Sequence, residues 1–216
     1  TQSTPPYQTI LYRYIEGVPY SVVNLNNKHD TEKCFREDFS PILTSISQPN
    51  LPVYLKIDTK EYFLNTFSNL ITRLSHLVET GKFDRIQKKA ITSLAKIIES
   101  NLTVEIGTSN TSLVHGDFNV NNILQNHQNN KLIILDWQRP IYGSPLIDEY
   151  SFVKSNDFEP DPPAVLIGSL VQIYWLVDCA INWFPEGCST YNIQTGELLS
   201  ALFSAYQALN TNQIKM

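Results

Sequence analysis

Residues 113–137 read LVHGDFNVNNILQNHQNNKLIILDW, a His, two Asp and several Asn set between two short apolar stretches. An unpaired polar side chain in core-like surroundings costs roughly 1–3 kcal/mol, so such a cluster belongs where something is bound or transferred. Asp117 follows the first stretch, Asn122 comes five residues later, and Asp136 ends the second. Two carboxylates and a carboxamide oxygen form an all-oxygen donor set, which suits Mg²⁺; zinc would require more His or Cys than His115 alone. In phosphoryl transfer, Mg²⁺ at such a site neutralises the nucleotide phosphates while a further Asp orients the attacking hydroxyl and takes its proton. Asp117 is then the expected base, and Asn122 and Asp136 the expected metal ligands.

Each of these residues has a plainer alternative. Asp117 and Asp136 could cap turns, as Asp often does at strand ends, and Asn119 and Asn121 read as turn formers. Taken together with Asn122, however, the two Asp favour the chemical reading. His115 is expected to hold the loop rather than react. Asp157, Glu159 and Asp161, in SNDFEPDPPA, could draw an amino-bearing ligand, but a solvated Pro-rich loop accounts for them as well. Tyr174, Trp175 and Trp183 fall at helical spacing and are expected in the core rather than in a cation-binding aromatic cage.

The elements that must position the cluster are mostly helical. TKEYFLNTFSNLITRLSHLVETG (59–81) repeats Phe63, Phe67, Leu70, Leu74, Leu77 and Val78 at helical spacing, with Gly81 where a C-cap belongs. FDRIQKKAITSLAKIIES (83–100) does the same with Ile86, Ala90, Ile91, Leu94, Ile97 and Ile98. Residues 163–183 and 195–210 predict two more helices. A short helix capped at Asp30 is expected within 30–43, and a strand over 7–17 ending at Gly17. Ser112–Val114 and KLIILDW predict two short strands joined by polar turns. The expected fold class is α+β, mainly helical, with short β-hairpins.

The chain has 216 residues, a net charge of −5 and no Lys/Arg-rich run, which argues against a nucleic-acid partner. Cys34, Cys179 and Cys188 form no CxxC pair, so neither a disulfide framework nor a zinc knuckle is expected, and a reducing cytoplasm is the simplest location. The apolar stretch 164–184 is interrupted by Gln172, Asp178 and Asn182, which favours a buried helix over a membrane span. Asn101-Leu-Thr and Asn110-Thr-Ser fit the glycosylation pattern but read as accidental.

HGDFNVNNIL followed by LIILDWQ resembles the catalytic loop and metal-binding segment of the aminoglycoside phosphotransferase and choline kinase-like family, relatives of the protein kinases. The matching positions are His115, Gly116, Asp117, Asn122 and Asp136; protein kinases carry Arg where this chain has Gly116. GSPLID resembles the family's Gly-x-Pro-x-x-Asp segment, which implies that Asp148 braces the catalytic loop through its backbone. ILYRYIEG resembles the hinge strand of the adenine site. The resemblance implies ATP and Mg²⁺ as cofactors, backbone contacts to adenine from Arg13 and Ile15, and an apolar floor from Leu124 and Leu135. The acceptor it implies is a small molecule with a free hydroxyl, and the net charge makes a cationic one the mild favourite.

The resemblance also implies a β-rich nucleotide lobe ahead of the hinge, and only six residues precede Tyr7. The expectation is therefore a piece of a longer kinase. Residues 1–17 would be the hinge strand and linker from a missing N-terminal lobe. Residues 18–216 would be the helical C-terminal lobe, with the catalytic loop at 113–124 and the metal-binding segment at 132–138. Such a piece alone is expected to be inactive. The alternative is a non-catalytic binding or regulatory module derived from such a lobe; metal-assisted hydrolysis is weaker, because few ligands and no water-activating pair are in sight.

Overall fold

The computed structural model describes residues 18–19, 27–45, 52–102, 110–125, 132–183 and 190–213. In chain order the elements are β1 (Val18–Pro19), α1 (Lys28–Cys34), a π-helical turn (Phe35–Phe39), α2 (Ser40–Ser45), β2 (Leu55–Lys56), α3 (Lys60–Thr80) and α4 (Arg85–Asn101). There follow β3 (Ser112–Val114), a 3₁₀ turn (Val120–Asn122), β4 (Ile123–Gln125), β5 (Leu132–Ile134), β6 (Ile141–Gly143), α5 (Leu146–Ser155), α6 (Pro162–Asn182) and α7 (Tyr191–Gln213). The strand expected over 7–17 lies outside the described residues, and with it Arg13 and Ile15.

The long helices form where apolar side chains recur on one face. In α3, Phe63, Phe67, Leu70, Leu74, Leu77 and Val78 are all buried, as their spacing predicts. Thr59 accepts from the Tyr62 N–H to start the helix, and the Gly81 N–H donates to the Leu77 carbonyl to end it. Gly81 is extended (φ −81°) rather than left-handed, so its position was legible but the cap type was not. In α4 a capping box between Asp84 and Gln87 satisfies the first free N–H groups, and Ile91, Ala95 and Ile98 are buried. Ile86 is 80% exposed and Ile97 37% exposed, contrary to the expected core stripe. The α4 stripe is narrower than the one read from the sequence, because one edge of the helix faces solvent.

α6 is long and apolar enough to cross a membrane by length and composition, yet most of it is buried among other helices of the chain. It packs chiefly against α7 and α5, and α3 and α4 complete the main core. Gly168 lets α5 approach: a Cβ there would collide with the Tyr150 ring.

A second, smaller core is aromatic. α1 is capped by Asn27, whose side chain accepts from the Asp30 N–H, so Asp30 lies in the first turn and is not the cap itself. Pro41 has no N–H to offer the carbonyl of Glu37, and the helix widens into the π turn just before it, with the Ser40 N–H reaching back to the Phe35 carbonyl. Phe35 and Phe39 from this turn pack with Phe118, Ile123 and Phe152.

The strands form two three-stranded sheets, ordered β1-β4-β5 and β2-β6-β3. β3 therefore does not pair with the KLIILDW strand. It pairs with β6, Leu113 opposite Tyr142, and the hairpin is β4–β5, Leu124 opposite Ile133. Neither β4 nor β6 was expected from the sequence, because each is a three-residue piece embedded in polar or turn-forming residues rather than in an apolar run of its own.

Candidate active site

The catalytic-loop segment is held from below. Phe118 is fully buried between Phe35, Phe39 and Phe152, with ring centroids 5.2–5.9 Å apart, and so anchors the residue next to Asp117. Asp148, buried at the start of α5, accepts the His115 N–H on Oδ2 and the Gly116 N–H on Oδ1, both at 2.8 Å. The bracing role implied for Asp148 is thus present in the geometry. Burial pushes its carboxyl up to about 7, against the opposing pull of those two N–H donors. Gly116 sits at φ +83°, where a Cβ would also strike the Arg139 carbonyl oxygen.

His115 is fully buried. Its Nδ1 accepts from the Asp117 N–H at 3.3 Å, which leaves Nε2 to donate to the Leu135 carbonyl at 2.7 Å. Burial holds its pKa below the usual imidazole range. With both ring nitrogens committed to backbone, the ring ties the Asp117 loop to the segment that precedes Asp136.

Asp117 itself is half-buried, and its Oδ2 is paired with Nη2 of Arg139. Among the described residues, Oδ1 is approached only by the Asn119 amide, at 3.3 Å. Asn122 donates its Nδ2 to the Asp117 carbonyl at 2.9 Å, which leaves its carboxamide oxygen as the atom available to a cation. The Leu135 N–H donates to the Asn122 carbonyl at 2.8 Å, so the hairpin sets Asn122 and Asp136 at the same end. Asp136 is exposed, at φ +62°, a left-handed conformation that Asp tolerates better than most residues. Among the described residues no group of three or more His, Cys, Asp or Glu could hold a metal. A pair of oxygen donors still fits Mg²⁺, which commonly takes one or two protein ligands alongside phosphate and water.

Cross-strand pairing puts Leu124 and Ile133 on one face of the hairpin, with Leu135 two residues further along that face; all three are half-buried. Ile123, Leu132 and Ile134 belong to the opposite face, packed into the aromatic core. Ile133 was missed in the sequence, although its alternation with Leu135 could have indicated it.

A cavity of about 390 Å³ opens beside Asp117, walled by Asn119, Arg139, Tyr150, Lys154, Gln172 and Trp175, with Gln194 and Glu197 from α7. Arg139, Lys154 and Gln172 carried no signal in the sequence, since only the fold brings them to the loop. Trp183 is 66% exposed and not core, and Trp175 lines the cavity with the Arg139 guanidinium 4.3 Å from its ring. Asp161 is bonded to Lys28 (2.8 Å), and Glu159 lines a different cavity; Glu149, on α5, is buried against Arg36 (2.5 Å).

A mainly helical lobe in which a His-Gly-Asp loop is braced by a buried Asp defines the class: the C-terminal lobe of a protein kinase-like fold. The family model for the ecdysteroid kinase-like family matches residues 35–174, and the chain belongs to that family. It is a family of kinase-like phosphotransferases acting on small molecules, related to the choline kinases and aminoglycoside phosphotransferases but distinct from the latter. A comparison with curated proteins returned no match.

Proposed function

We propose that the protein transfers the γ-phosphoryl group of ATP to a hydroxyl of a small molecule. The observation that carries this reading is the placement of Asp117: a carboxylate with one lightly held oxygen, on a braced loop, facing a cavity of small-molecule size. Asp117 receives the proton of the acceptor hydroxyl. Asp148 and His115 hold the loop backbone so that this carboxylate needs no reorganisation during transfer. Asn122, through its free carboxamide oxygen, and Asp136 hold Mg²⁺, which when bound neutralises charge on the phosphates. Leu124, Ile133 and Leu135 supply an apolar floor for the adenine ring. The family's name supports an ecdysteroid, a polyhydroxylated and uncharged steroid, as the first acceptor to try.

The test uses the full-length protein with ATP, Mg²⁺ and a panel of ecdysteroid, choline-like, amino-sugar and neutral sugar-alcohol acceptors. Asp136→Ala should abolish metal-dependent nucleotide binding in calorimetry. Asp117→Asn should keep that binding and lose on the order of 10²–10⁴-fold in kcat, the usual share of a positioned general base. Wild-type turnover in Asp117→Asn would overturn the assignment of the base.

A further inference from the structure

Tyr54 does not itself line the cavity, yet it reaches the segment around Arg139 by two routes. The first is through the backbone. The Tyr54 N–H donates to the Pro140 carbonyl at 2.7 Å, just where β2 begins its parallel pairing with β6, Leu55 opposite Ile141. β3 pairs with the other edge of β6, Val114 opposite Ile141, so the chain that follows Arg139 is held between two strands and the Arg139 carbonyl packs against Gly116. The second route is through the ring. Tyr54 stands edge-on to Tyr174 and to Trp175, with centroids 5.8 Å apart in each pair, and the Trp175 ring carries the Arg139 guanidinium 4.3 Å from its centre. That guanidinium binds Oδ2 of Asp117 through Nη2. The hydroxyl end of Tyr54 is fixed as well: it donates to Asp178 at 3.2 Å, Asp178 accepts from Arg73 at 2.5 Å, and Arg73 covers the Tyr174 ring. Burial, and next the Asp178 charge, push the Tyr54 pKa above the usual phenol range, so the hydroxyl stays a donor.

We propose that Tyr54 is a positioning residue for the base, holding the Asp117 carboxylate in place through Trp175 and Arg139. This rests on the transferase reading of the site. With Oδ2 held by Arg139, Oδ1 is the oxygen left to receive the acceptor proton, and its direction follows the position of the guanidinium. A guanidinium stacked on an aromatic face stays in place only as far as the ring beneath it does. Tyr54 fixes that ring from the side remote from Asp117, and its backbone fixes the chain that leads out of Arg139. Loss of the Tyr54 ring therefore lets guanidinium and carboxylate move together, and a displacement of about 1 Å at reacting atoms can cost on the order of 10²-fold in rate.

The first readout needs no turnover. In full-length protein carrying ¹⁵N-labelled arginine, the Arg139 Nε–H resonance, identified by its loss in Arg139→Lys, should lie upfield of free arginine because of the Trp175 ring current. Tyr54→Leu should move it at least halfway back, and Tyr54→Phe, which keeps the ring, should hold it. A resonance at the free-arginine position in the unmodified protein would overturn the proposal, as would one that does not move in folded Tyr54→Leu. Tyr54→Met serves the same test where the leucine variant does not fold. Turnover supplies the second readout, with whichever acceptor the protein phosphorylates. Tyr54→Leu should lower kcat by roughly 10- to 100-fold and leave calorimetric ATP affinity unchanged, and Tyr54→Phe should recover most of that loss. Added to Arg139→Gln, Tyr54→Leu should lower kcat no further. A full additional loss in that double variant would mean that Tyr54 supports the site in general rather than through Arg139, and would overturn the proposal. Failure of the transferase reading would appear separately, as absence of phosphoryl transfer to every acceptor while the Arg139 resonance still responds to Tyr54.

Discussion

His115 can keep both of its hydrogen bonds only as a neutral ring, since a proton on Nδ1 would face the Asp117 N–H. Its folded pKa is lowered by burial, so below the unfolded value of 6.5 the unfolded chain binds the proton more readily. Stability from this group is therefore present above pH 6.5 and lost as pH falls through and below that value. Relative to His115→Gln, the urea midpoint of the unmodified protein should fall from about pH 7 to about pH 5; an identical pH profile in the variant would reject the account. Asp148 has the opposite sign. Its folded pKa is raised from 3.8 to about 7, so its contribution is full below 3.8 and is lost as pH rises through about 7. Each slope must be read as a difference from its own variant. Asp148→Asn also leaves one acceptor oxygen for two buried N–H donors, which should cost about 1–3 kcal/mol in urea unfolding.

At the scale of elements, the loop is rigid because its neighbours are packed rather than because it is long-range bonded everywhere. Phe118 contributes a fully buried ring directly after the proposed base. Phe118→Ala should cost about 3–5 kcal/mol by chemical denaturation, and Phe118→Leu distinctly less, since much of the volume remains. A loss under 1 kcal/mol for the alanine variant would mean that the aromatic core does not support the loop. The π turn that supplies Phe35 and Phe39 had no clear sequence signal; only Pro41 hinted at an interrupted helix. The long helices were legible because ten or more residues sample their period several times. Of the strands, two or three residues each, β3 and β5 were legible as short apolar runs, and β4 and β6 were not.

For the molecule as a whole, α6 is the element that couples the core to the cavity. It carries Gly168 against Tyr150 on one turn and Gln172 and Trp175 into the cavity lining on the next. Gly168→Ala should therefore do two things at once. Overpacking against Tyr150 should lower stability by about 1–3 kcal/mol, seen as a lower thermal midpoint. Displacement of Tyr150 should also release Lys154 and Gln172, both hydrogen-bonded to its hydroxyl, raising KM for the acceptor while leaving calorimetric ATP binding unchanged. Equal losses in both ligands would show a general unfolding effect instead.

Residue type and spacing alone determined the parts of this protein that are local. These are the loop order His115, Asp117, Asn122 and Asp136, the four long helices within a few residues, and the mainly helical class; Gly116 and Asp148 were marked by the family resemblance. Helix periodicity and loop chemistry are written within short windows, so one sequence suffices to read them. The tertiary structure alone decided which strands pair, that Arg139 faces Asp117 across 22 residues of chain, and that Trp175, Lys154 and Gln172 share a cavity with it. It also showed that Glu149 pairs with Arg36 and Asp161 with Lys28. Such pairings depend on helix packing between distant segments, where a side chain's partner is set by the approach of another element and leaves no mark in the neighbouring residues.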